Sequence, residues 1–243
     1  MDPHGPIPRH IGIIMDGNAR WAERQGRPVN FGHSAGVRTV KRIMLACDEI
    51  GVRNLSVYAF STENWTRPRR EVSALMRLFE SSLRREIDEL DERRIRIVFS
   101  GRREGLADRI RGQIVDAEER TADNRGGVLN VCLNYGGRTE VVDAVRRLIE
   151  ERVPASNVDE SAIAARLYVP SLPDPDLVIR TAGEKRTSNF LLWQSAYAEL
   201  HVTDVLWPDF ERGDLERAIL DFQGRLRRFG GRPGEPGPQA GPR

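Results

Sequence analysis

The sequence predicts a single α/β domain in which a mainly parallel β-sheet is surrounded by helices. Its 243 residues are enough for one large domain with a sizeable core. Short apolar runs alternate with amphipathic helical patterns, the order typical of parallel strands joined by helical crossovers. Polar clusters follow the ends of four of these runs, at 16–18, 61–67, 134–138 and 180–188. Because ligands bind at the carboxyl ends of parallel strands, the four clusters predict one shared site.

The strands are predicted from short apolar runs that end in turn residues. The first run, 11–15, is followed at once by the turn Asp16-Gly17-Asn18. The other runs are 55–60, 95–99, 128–133, 177–179 and 200–202.

The helices are predicted from apolar residues at helical spacing. One helix begins near Ala19. Ser34 is a plausible N-cap for a second helix that Gly51 ends. Leu75 and Phe79 belong to a pattern that predicts a long amphipathic helix. That helix covers 71–93, and further helices are predicted over 106–124, 138–152, 160–167 and 215–228.

Composition narrows the class of protein. Lys plus Arg number 38 against 36 Asp plus Glu, and this balance argues against nucleic acid as a partner. Cys47 and Cys132 lie in apolar runs and are predicted to be buried thiols. No apolar run approaches the roughly 20 residues that span a bilayer, and 1–9 lacks a signal-peptide pattern, so a cytoplasmic protein is expected. The Gly- and Pro-rich segment 230–243 is predicted to be a flexible tail.

The turn at Asp16 predicts a phosphate site. The N–H groups and dipole of the helix that follows attract an anion, whereas the Asp16 carboxylate would repel it unless a cation lay between them. A phosphate held through Mg²⁺ reconciles these two features. Taken alone, Asp-Gly-Asn is more often an ordinary turn.

Donors and an acid after the fifth strand point to the same chemistry. Arg180, Arg186 and Ser188 lie close together in a loop, and Arg is suited to bidentate contacts with diphosphate oxygens. Arg186 could instead form a surface ion pair with Glu184. Glu199 is an acid within an otherwise apolar stretch, so it needs an Arg or a metal as its partner.

Other polar residues fit a structural role as well as a functional one. His33 precedes a helix and could be a capping or core histidine, while Asn64 and Trp65 could cap and pack their loop. The chain lacks the P-loop, dinucleotide-binding, nucleophile-elbow and zinc spacings. With phosphate ligands but no evident protein nucleophile, the remaining chemistry is one in which a diphosphate is the leaving group.

Seven motifs, in order between Ile11 and Gly231, resemble those of the cis-prenyltransferases, the undecaprenyl diphosphate synthase family. They are Asp16-Gly17-Asn18-Ala19-Arg20-Trp21, Gly32-His33-Ser34-Ala35-Gly36, Tyr58-Ala59-Phe60-Ser61-Thr62-Glu63-Asn64-Trp65, Asn134-Tyr135-Gly136-Gly137-Arg138, Asp176-Leu177-Val178-Ile179-Arg180-Thr181, Ser188-Asn189-Phe190-Leu191-Leu192-Trp193-Gln194 and Arg227-Arg228-Phe229-Gly230-Gly231. The resemblance implies a sheet with helices around a hydrophobic tunnel, a homodimer, and a catalytic domain over 1–229.

The resemblance also implies roles for individual residues. Asp16 handles Mg²⁺ and diphosphate, Glu199 is a second Mg²⁺-associated acid, and Asn64 helps orient proton removal. Residues implied on the allylic side are Gly17, Asn18, Ala19, Arg20, Trp21, His33, Ser61, Thr62, Glu63, Trp65 and Arg67. The isopentenyl diphosphate site is implied at Arg180, Arg186 and Ser188, completed by the C-terminal Arg-Phe-Gly segment of a second subunit.

The implied reaction is a Mg²⁺-dependent condensation of isopentenyl diphosphate with an allylic prenyl diphosphate, which forms a (poly)prenyl diphosphate with cis double bonds. A transient contact with a membrane surface would serve product release. A short-chain or irregular synthase of the same family is the alternative. A non-catalytic partner subunit ranks lower, since such members typically lack the acidic and Asn-Trp motifs that are intact here.

Three residues depart from the family pattern. Ala19 replaces the usual Gly, which a helix tolerates. Val29 stands where the family has Arg, so one diphosphate contact is lost unless Arg24 or Arg27 compensates. Val37 is bulkier than the usual Ala and would shorten the product if it faces the tunnel.

Overall fold

The computed structural model describes residues 5–225, and these contain a six-stranded sheet in the order β3-β4-β2-β1-β5-β6. The strands are β1 (His10–Ile14), β2 (Asn54–Ser61), β3 (Arg96–Ser100), β4 (Val128–Tyr135), β5 (Leu177–Arg180) and β6 (Glu199–Val202). Every neighbouring pair is parallel, which confirms the predicted fold class. All strands therefore present their carboxyl ends at one edge.

Helical crossovers connect the first five strands, whereas residues 181–198 between β5 and β6 form no helix. The helices are α1 (Asn18–Arg24), α2 (Val29–Ile50), α3 (Arg69–Glu92), α4 (Asp108–Arg120), α5 (Gly137–Glu150), α6 (Glu160–Ala164) and α7 (Arg212–Gln223). Short 3₁₀ segments cover Thr62–Thr66, Ala155–Asn157 and Trp207–Asp209. Among the described residues, no helix is both long and apolar enough to cross a membrane.

The prediction that Ser34 caps the second helix was wrong. The helix begins six residues earlier, with Pro28 in the N-cap position, and Gly51 ends it in the left-handed conformation as predicted. The early start brings Gly32 against α1, where an added Cβ would lie 2.0 Å from the backbone oxygen of Asn18. This close packing is a tertiary contact, and the local pattern around Ser34 contains no sign of it.

Smaller differences concern the ends of the other elements. The predicted strand 128–133 continues to Tyr135, and the predicted helices 106–124 and 160–167 shorten to the bounds of α4 and α6. The last helix begins at Arg212, and the predicted end at 228 lies outside the described residues, as does the predicted tail.

The apolar core lies on both faces of the sheet. On one face, side chains such as Ile13 and Leu55 pack with α2, α3 and α7. On the other face a smaller cluster contains Val178 and Phe190. Both cysteines are free and buried, as predicted. Burial raises the pKa of Cys47 to about 12, so this thiol stays protonated and unreactive.

A row of buried polar side chains crosses the sheet. The ring of His10 contacts the Pro173 carbonyl oxygen through Nδ1 at 2.6 Å and the Ser56 hydroxyl through Nε2 at 2.8 Å. The Asn130 amide donates to Ser56 Oγ at 2.9 Å, and Ser100 Oγ donates to the Asn130 side-chain oxygen at 2.9 Å. Burial lowers the pKa of His10 from 6.5 to about 4, so the ring is neutral in the folded protein.

His10 should make stability fall in acid. Between pH 6.5 and about 4 the unfolded chain binds a proton at His10 that the folded protein does not, so the unfolded state is favoured as pH decreases. We expect His10 to account for about 1–2 kcal/mol of lost unfolding free energy between pH 7 and pH 5. Urea unfolding of the wild type and His10→Gln at both pH values measures this share. Equal losses in the two proteins would contradict it.

Candidate active site

The four predicted polar clusters meet at the carboxyl edge of the sheet. Arg180, at the end of β5, contacts Asp16, which follows β1, with 2.6 Å between Nη2 and Oδ2. Asn189 donates to Glu63, in the loop after β2, at 2.9 Å. The Arg138 backbone N–H, after β4, donates to the Asn189 side-chain oxygen at 2.8 Å. The structure therefore brings the four clusters together at one edge.

Arg180 holds this edge together. Its side chain is only 4% exposed, and its Nε and Nη2 both donate to one carboxylate oxygen of Asp16. Its Nη1 donates to Ser188 Oγ at 2.8 Å and to the backbone oxygen of Arg186. Arg180 therefore fixes the loop over 181–188 relative to β1, and the ends of two neighbouring strands become one rigid unit.

Arg186 forms the surface ion pair with Glu184 that the sequence offered as an alternative. Its guanidinium contacts Glu184 at 2.5 Å, and its side chain is 63% exposed. An exposed ion pair of this kind contributes little to stability and breaks readily for a stronger partner. Arg186 is consequently free to turn toward an anion.

The backbone around Asp16 is fixed from two directions. Its carbonyl oxygen accepts hydrogen bonds from Thr181 Oγ1 at 2.7 Å and from the Trp207 N–H at 3.0 Å. Gly17 has φ +108°, and a Cβ there would lie 2.9 Å from the Leu206 side chain. Only glycine meets both conditions without strain. No side chain caps the first turn of α1, which leaves its amide N–H groups to other acceptors.

Residues of α1 connect the turn to its surroundings. Arg20 donates to the Ala182 carbonyl oxygen at 3.1 Å, which brings its cation to the loop after β5. Trp21 donates to Asp209 at 2.6 Å and stacks on Phe31 with ring centroids 5.6 Å apart. Ala19 lies in the first turn of α1 and is exposed, so its methyl group has room where the family has glycine.

The loop after β2 shows mainly structural contacts. Asn64 Oδ1 accepts from the Ser61 backbone N–H at 3.0 Å in a capping box. Trp65 Nε1 donates to Asn134 Oδ1 at 2.7 Å, and the Trp65 ring packs edge-on against Phe60. The other polar side chains of the loop also bind locally. Thr62 donates to Glu63 at 3.2 Å, and Arg67 pairs with Glu71 at 3.0 Å.

A large apolar cavity opens next to these residues. It measures about 1020 Å³, counting the space at its mouth, and lies between the sheet and helices α2 and α3. The sheet contributes residues such as Val57 and Val131, and the helices contribute Val37 and Phe79. The hydrophobic tunnel that the resemblance implies is present, and Val37 lines it.

Two unsatisfied polar atoms lie at the mouth of this cavity. The Oδ1 of Asn18 and the Nε2 of His33 are buried without a hydrogen-bond partner among the described residues, and both residues line the cavity. Burial and the charge of Arg67 lower the pKa of His33, so its ring is neutral at pH 7. Buried polar atoms without partners are costly, which indicates a polar ligand group at this position.

The structure does not bring Glu199 to Asp16 within one chain. Glu199 begins β6 opposite Leu177, whereas Asp16 lies beyond the other end of the neighbouring strands. Its carboxylate accepts from Arg225 Nη1 at 2.9 Å, so the partner that the sequence required is an arginine. Within residues 5–225 no group of three or more His, Cys, Asp or Glu side chains could hold a metal.

One of the two cations predicted to replace the missing arginine at Val29 makes another contact. Val29 is itself exposed at the start of α2. The guanidinium of Arg27 lies 5.4 Å from the centre of the Phe31 ring, so this candidate is engaged in a cation–π contact.

The clusters at 134–138 and 180–188 were predicted for the site, but the backbone conformation within them was not. Asn134, Ser188, Asn189 and Leu191 all have positive φ. Asn134 also donates to the carbonyl oxygens of Arg102 and Glu104. Left-handed backbone at non-glycine residues is costly and concentrates at functional sites. The two Asn residues were the available signal, because Asn tolerates this conformation best.

Comparison with known proteins decides the family. The family model described as "Putative undecaprenyl diphosphate synthase" matches residues 14–230. The chain belongs to this family. This undecaprenyl diphosphate synthase family member is therefore a prenyltransferase, and its function is that of a cis-prenyltransferase.

Curated relatives support the assignment over nearly the whole chain. An isoprenyl transferase of Clostridium perfringens is 47% identical, over 93% of this chain and 90% of that protein. A ditrans,polycis-undecaprenyl-diphosphate synthase of Xanthomonas axonopodis pv. citri, named as (2E,6E)-farnesyl-diphosphate specific, is 48% identical, over 92% of this chain and 89% of that protein.

Solved structures show the same fold. Lavandulyl diphosphate synthase from Lavandula x intermedia, crystallised with dimethylallyl diphosphate, aligns with a TM-score of 0.89 at 34% identity, covering 92% of this chain and 98% of that one. A probable undecaprenyl diphosphate synthase from Campylobacter jejuni aligns with a TM-score of 0.80 at 32% identity, covering 93% and 99%.

Removing the Arg180 side chain should destabilise the fold far more than removing that of Arg186. Arg180→Met leaves Asp16 and Ser188 without their buried donor, and we expect a loss of about 2–4 kcal/mol of unfolding free energy. Arg186→Met removes an exposed ion pair and should cost less than about 1 kcal/mol. Urea unfolding of both variants gives the two values. A similar loss in both would show that Arg180 does not organise the site.

Proposed function

We propose that this prenyltransferase condenses isopentenyl diphosphate with an allylic prenyl diphosphate, releasing diphosphate and forming a (poly)prenyl diphosphate with cis double bonds. One observation carries the proposal: an edge rich in anion-binding groups opens directly into an apolar cavity of about 1020 Å³. Such a site suits a molecule with a diphosphate head and a hydrocarbon tail. The names of the Xanthomonas relative and the Lavandula structure supply substrates of this class.

The proposed reaction requires two diphosphates side by side. The allylic diphosphate lies at the first turn of α1 with its tail in the cavity, where Asn18 and His33 offer buried polar atoms without protein partners. Isopentenyl diphosphate lies at the loop after β5, bound by Arg186 and by Arg180 together with Ser188. These cations stabilise negative charge on diphosphate oxygens.

The chemistry then follows from this placement. The allylic C–O bond breaks and its electron pair leaves with the diphosphate, while the isopentenyl double bond forms the new C–C bond. A proton leaves the isopentenyl unit to restore a double bond, now cis. In the proposal Asn64, Trp65 and Arg67 support the reacting ends from the loop after β2. The apolar wall excludes water, which would otherwise capture the allylic cation.

Mg²⁺ is part of the proposal, with Asp16 as its protein ligand. The chemistry of the donor set fits, because Mg²⁺ is commonly held by one or two carboxylates together with substrate phosphates and water. In this structure only Oδ2 of Asp16 binds Arg180, and the side chain is 36% exposed. When bound, the ion would neutralise charge on the departing diphosphate. Within one chain Glu199 lies at the opposite end of the strands from Asp16 and does not share this ion.

A homodimer is also proposed. Val142, Val145 and Ile149 form a stripe on α5 at helical spacing, and Ile149 is 70% exposed. Tyr197, 71% exposed, precedes the edge strand β6. Apolar and aromatic surface of this kind is typical of contacts between subunits. We further propose that the enzyme is cytoplasmic and contacts a membrane surface transiently when its apolar product leaves.

The Asp16 carboxylate should be essential for turnover. Asp16→Asn keeps an oxygen for Arg180 but loses the charge for a cation, so we expect turnover to fall about 100-fold or more. Incorporation of labelled isopentenyl diphosphate is measured across a Mg²⁺ titration. Asp88→Asn, an exposed acid on α3, is the matched control and should keep its activity. Unchanged turnover in Asp16→Asn would favour the non-catalytic partner subunit instead.

The product distinguishes the remaining alternative. The similarity to lavandulyl diphosphate synthase supports a short-chain or irregular synthase as the second candidate. Incubation with allylic primers of different lengths, followed by mass spectrometry and chromatography of the dephosphorylated products, separates a long regular chain from one short or branched product.

The α5 stripe predicts how the dimer can be broken. Ile149→Asp places a charge in the proposed interface, and burying an unpaired charge there is costly, so the variant should be monomeric at low micromolar concentration. Light scattering after size-exclusion chromatography measures the mass. Val115→Asp replaces an equally apolar, exposed side chain on α4 and should leave the dimer intact. A dimeric Ile149→Asp protein would place the interface elsewhere.

A further inference from the structure

Two basic residues, one from each neighbouring helix, bind α3. Each of them bridges two acidic residues of α3 that lie one turn apart. From α2, Lys41 Nζ contacts Glu86 at 2.6 Å and Glu89 at 2.8 Å. From α4, Arg120 contacts Asp88 at 2.6 Å and Asp91 at 3.0 Å. The two bridges are alike in geometry, but only Lys41 and Glu86 line the apolar cavity.

The Lys41 bridge is a polar patch within an otherwise apolar wall. Ser82 lies one turn before Glu86 and also lines the cavity, and its buried hydroxyl has no hydrogen-bond partner among the described residues. Lys41 and Glu86 both remain charged, because their contact raises the pKa of Lys41, while Lys41 and Arg85 hold the pKa of Glu86 below its usual value despite the opposing effect of burial. Apolar residues at these positions would extend the apolar wall without the desolvation penalty of buried charges.

The patch lies well inside the cavity. Lys41 follows His33, at the mouth, by two turns of α2, which places it about 12 Å deeper along the helix. Val37 lies between them on the same face. Apolar lining continues beyond the patch with Leu90, Ile97 and Leu129. The patch is therefore a boundary within the cavity.

We propose that the Lys41–Glu86–Glu89 bridge determines product length in this enzyme. The bridge holds α2 and α3 at a fixed separation at a depth that a growing hydrocarbon chain reaches after the first additions. It also presents charged and hydroxyl groups with which a hydrocarbon gains nothing on contact. Chain growth slows at this boundary and product release takes over. The inference rests on the proposed condensation reaction, since it concerns the length of that product.

The test compares the lengths of the products. Lys41→Met keeps a side chain of similar length but removes the bridge, and we expect the dominant product to become longer by at least one five-carbon unit at the same primer and enzyme concentration. Lys41→Arg keeps the bridge and should keep the wild-type length. Mass spectrometry of the dephosphorylated products gives the distribution, and total incorporation of labelled isopentenyl diphosphate is recorded separately.

Arg120→Met is the matched control. It removes the equivalent bridge from the other side of α3 without changing the cavity lining, so its products should keep their length. A Glu86→Gln/Glu89→Gln variant breaks the Lys41 bridge from the opposite helix with isosteric side chains. Circular dichroism shows whether Lys41→Met folds. If it does not, the product length of the double variant tests the role of the bridge.

The outcomes separate this inference from the proposed function. Longer products in Lys41→Met or in the double variant, with wild-type length in Lys41→Arg and Arg120→Met, support the bridge. Unchanged length in a folded, active bridge variant overturns it. An equal shift in Arg120→Met also overturns it, because the effect would then come from loosening α3 in general. No incorporation by the wild type would refute the condensation reaction itself.

Discussion

The ion pair between Arg180 and Asp16 is the interaction on which the site depends. Arg180 is buried at the end of a central strand, where an unpaired guanidinium would be very costly, and it uses all three nitrogens on Asp16, Ser188 and a backbone oxygen. These contacts neutralise the charge of Arg180, position Asp16 in the turn after β1 and fix the loop after β5. The polar edge therefore exists before any substrate binds, and little reorganisation is needed when an anion arrives.

The apolar half of the site follows from the same sheet. Parallel strands covered on both faces are mainly apolar, and the helices that cover them leave a cavity on one face. The carboxyl ends of the strands carry the charged side chains, and the cavity therefore lies directly next to these charges. A molecule with a charged head and a hydrocarbon tail would therefore find a polar environment and an apolar one side by side.

Much of this arrangement could be predicted from the sequence. Apolar runs bounded by turn residues locate all six strands, and the rule that ligands bind at carboxyl edges brings Asp16 and Arg180 together. The start of α2 could not be predicted, because it depends on the fit of Gly32 against α1. The position of Glu199 was equally hidden. An acid in an apolar stretch requires a partner, but only the structure shows that this partner is Arg225. The register of β5 and β6 places Glu199 at the end of the strands away from Asp16.

The packing of α1 on α2 has a mechanical consequence. An added Cβ on Gly32 would lie 2.0 Å from the backbone oxygen of Asn18, and one on Gly36 would lie 2.3 Å from its side-chain oxygen. The backbones of the two helices are therefore in direct contact at Gly32. In the proposed binding mode, the turn beside the diphosphate and the α2 wall along the tail therefore belong to one stiff body. A lengthening tail cannot push α2 outward without displacing the reacting end of the molecule. The Lys41 bridge connects α3 to this same body, so in our proposal a growing tail meets walls that do not separate as it lengthens.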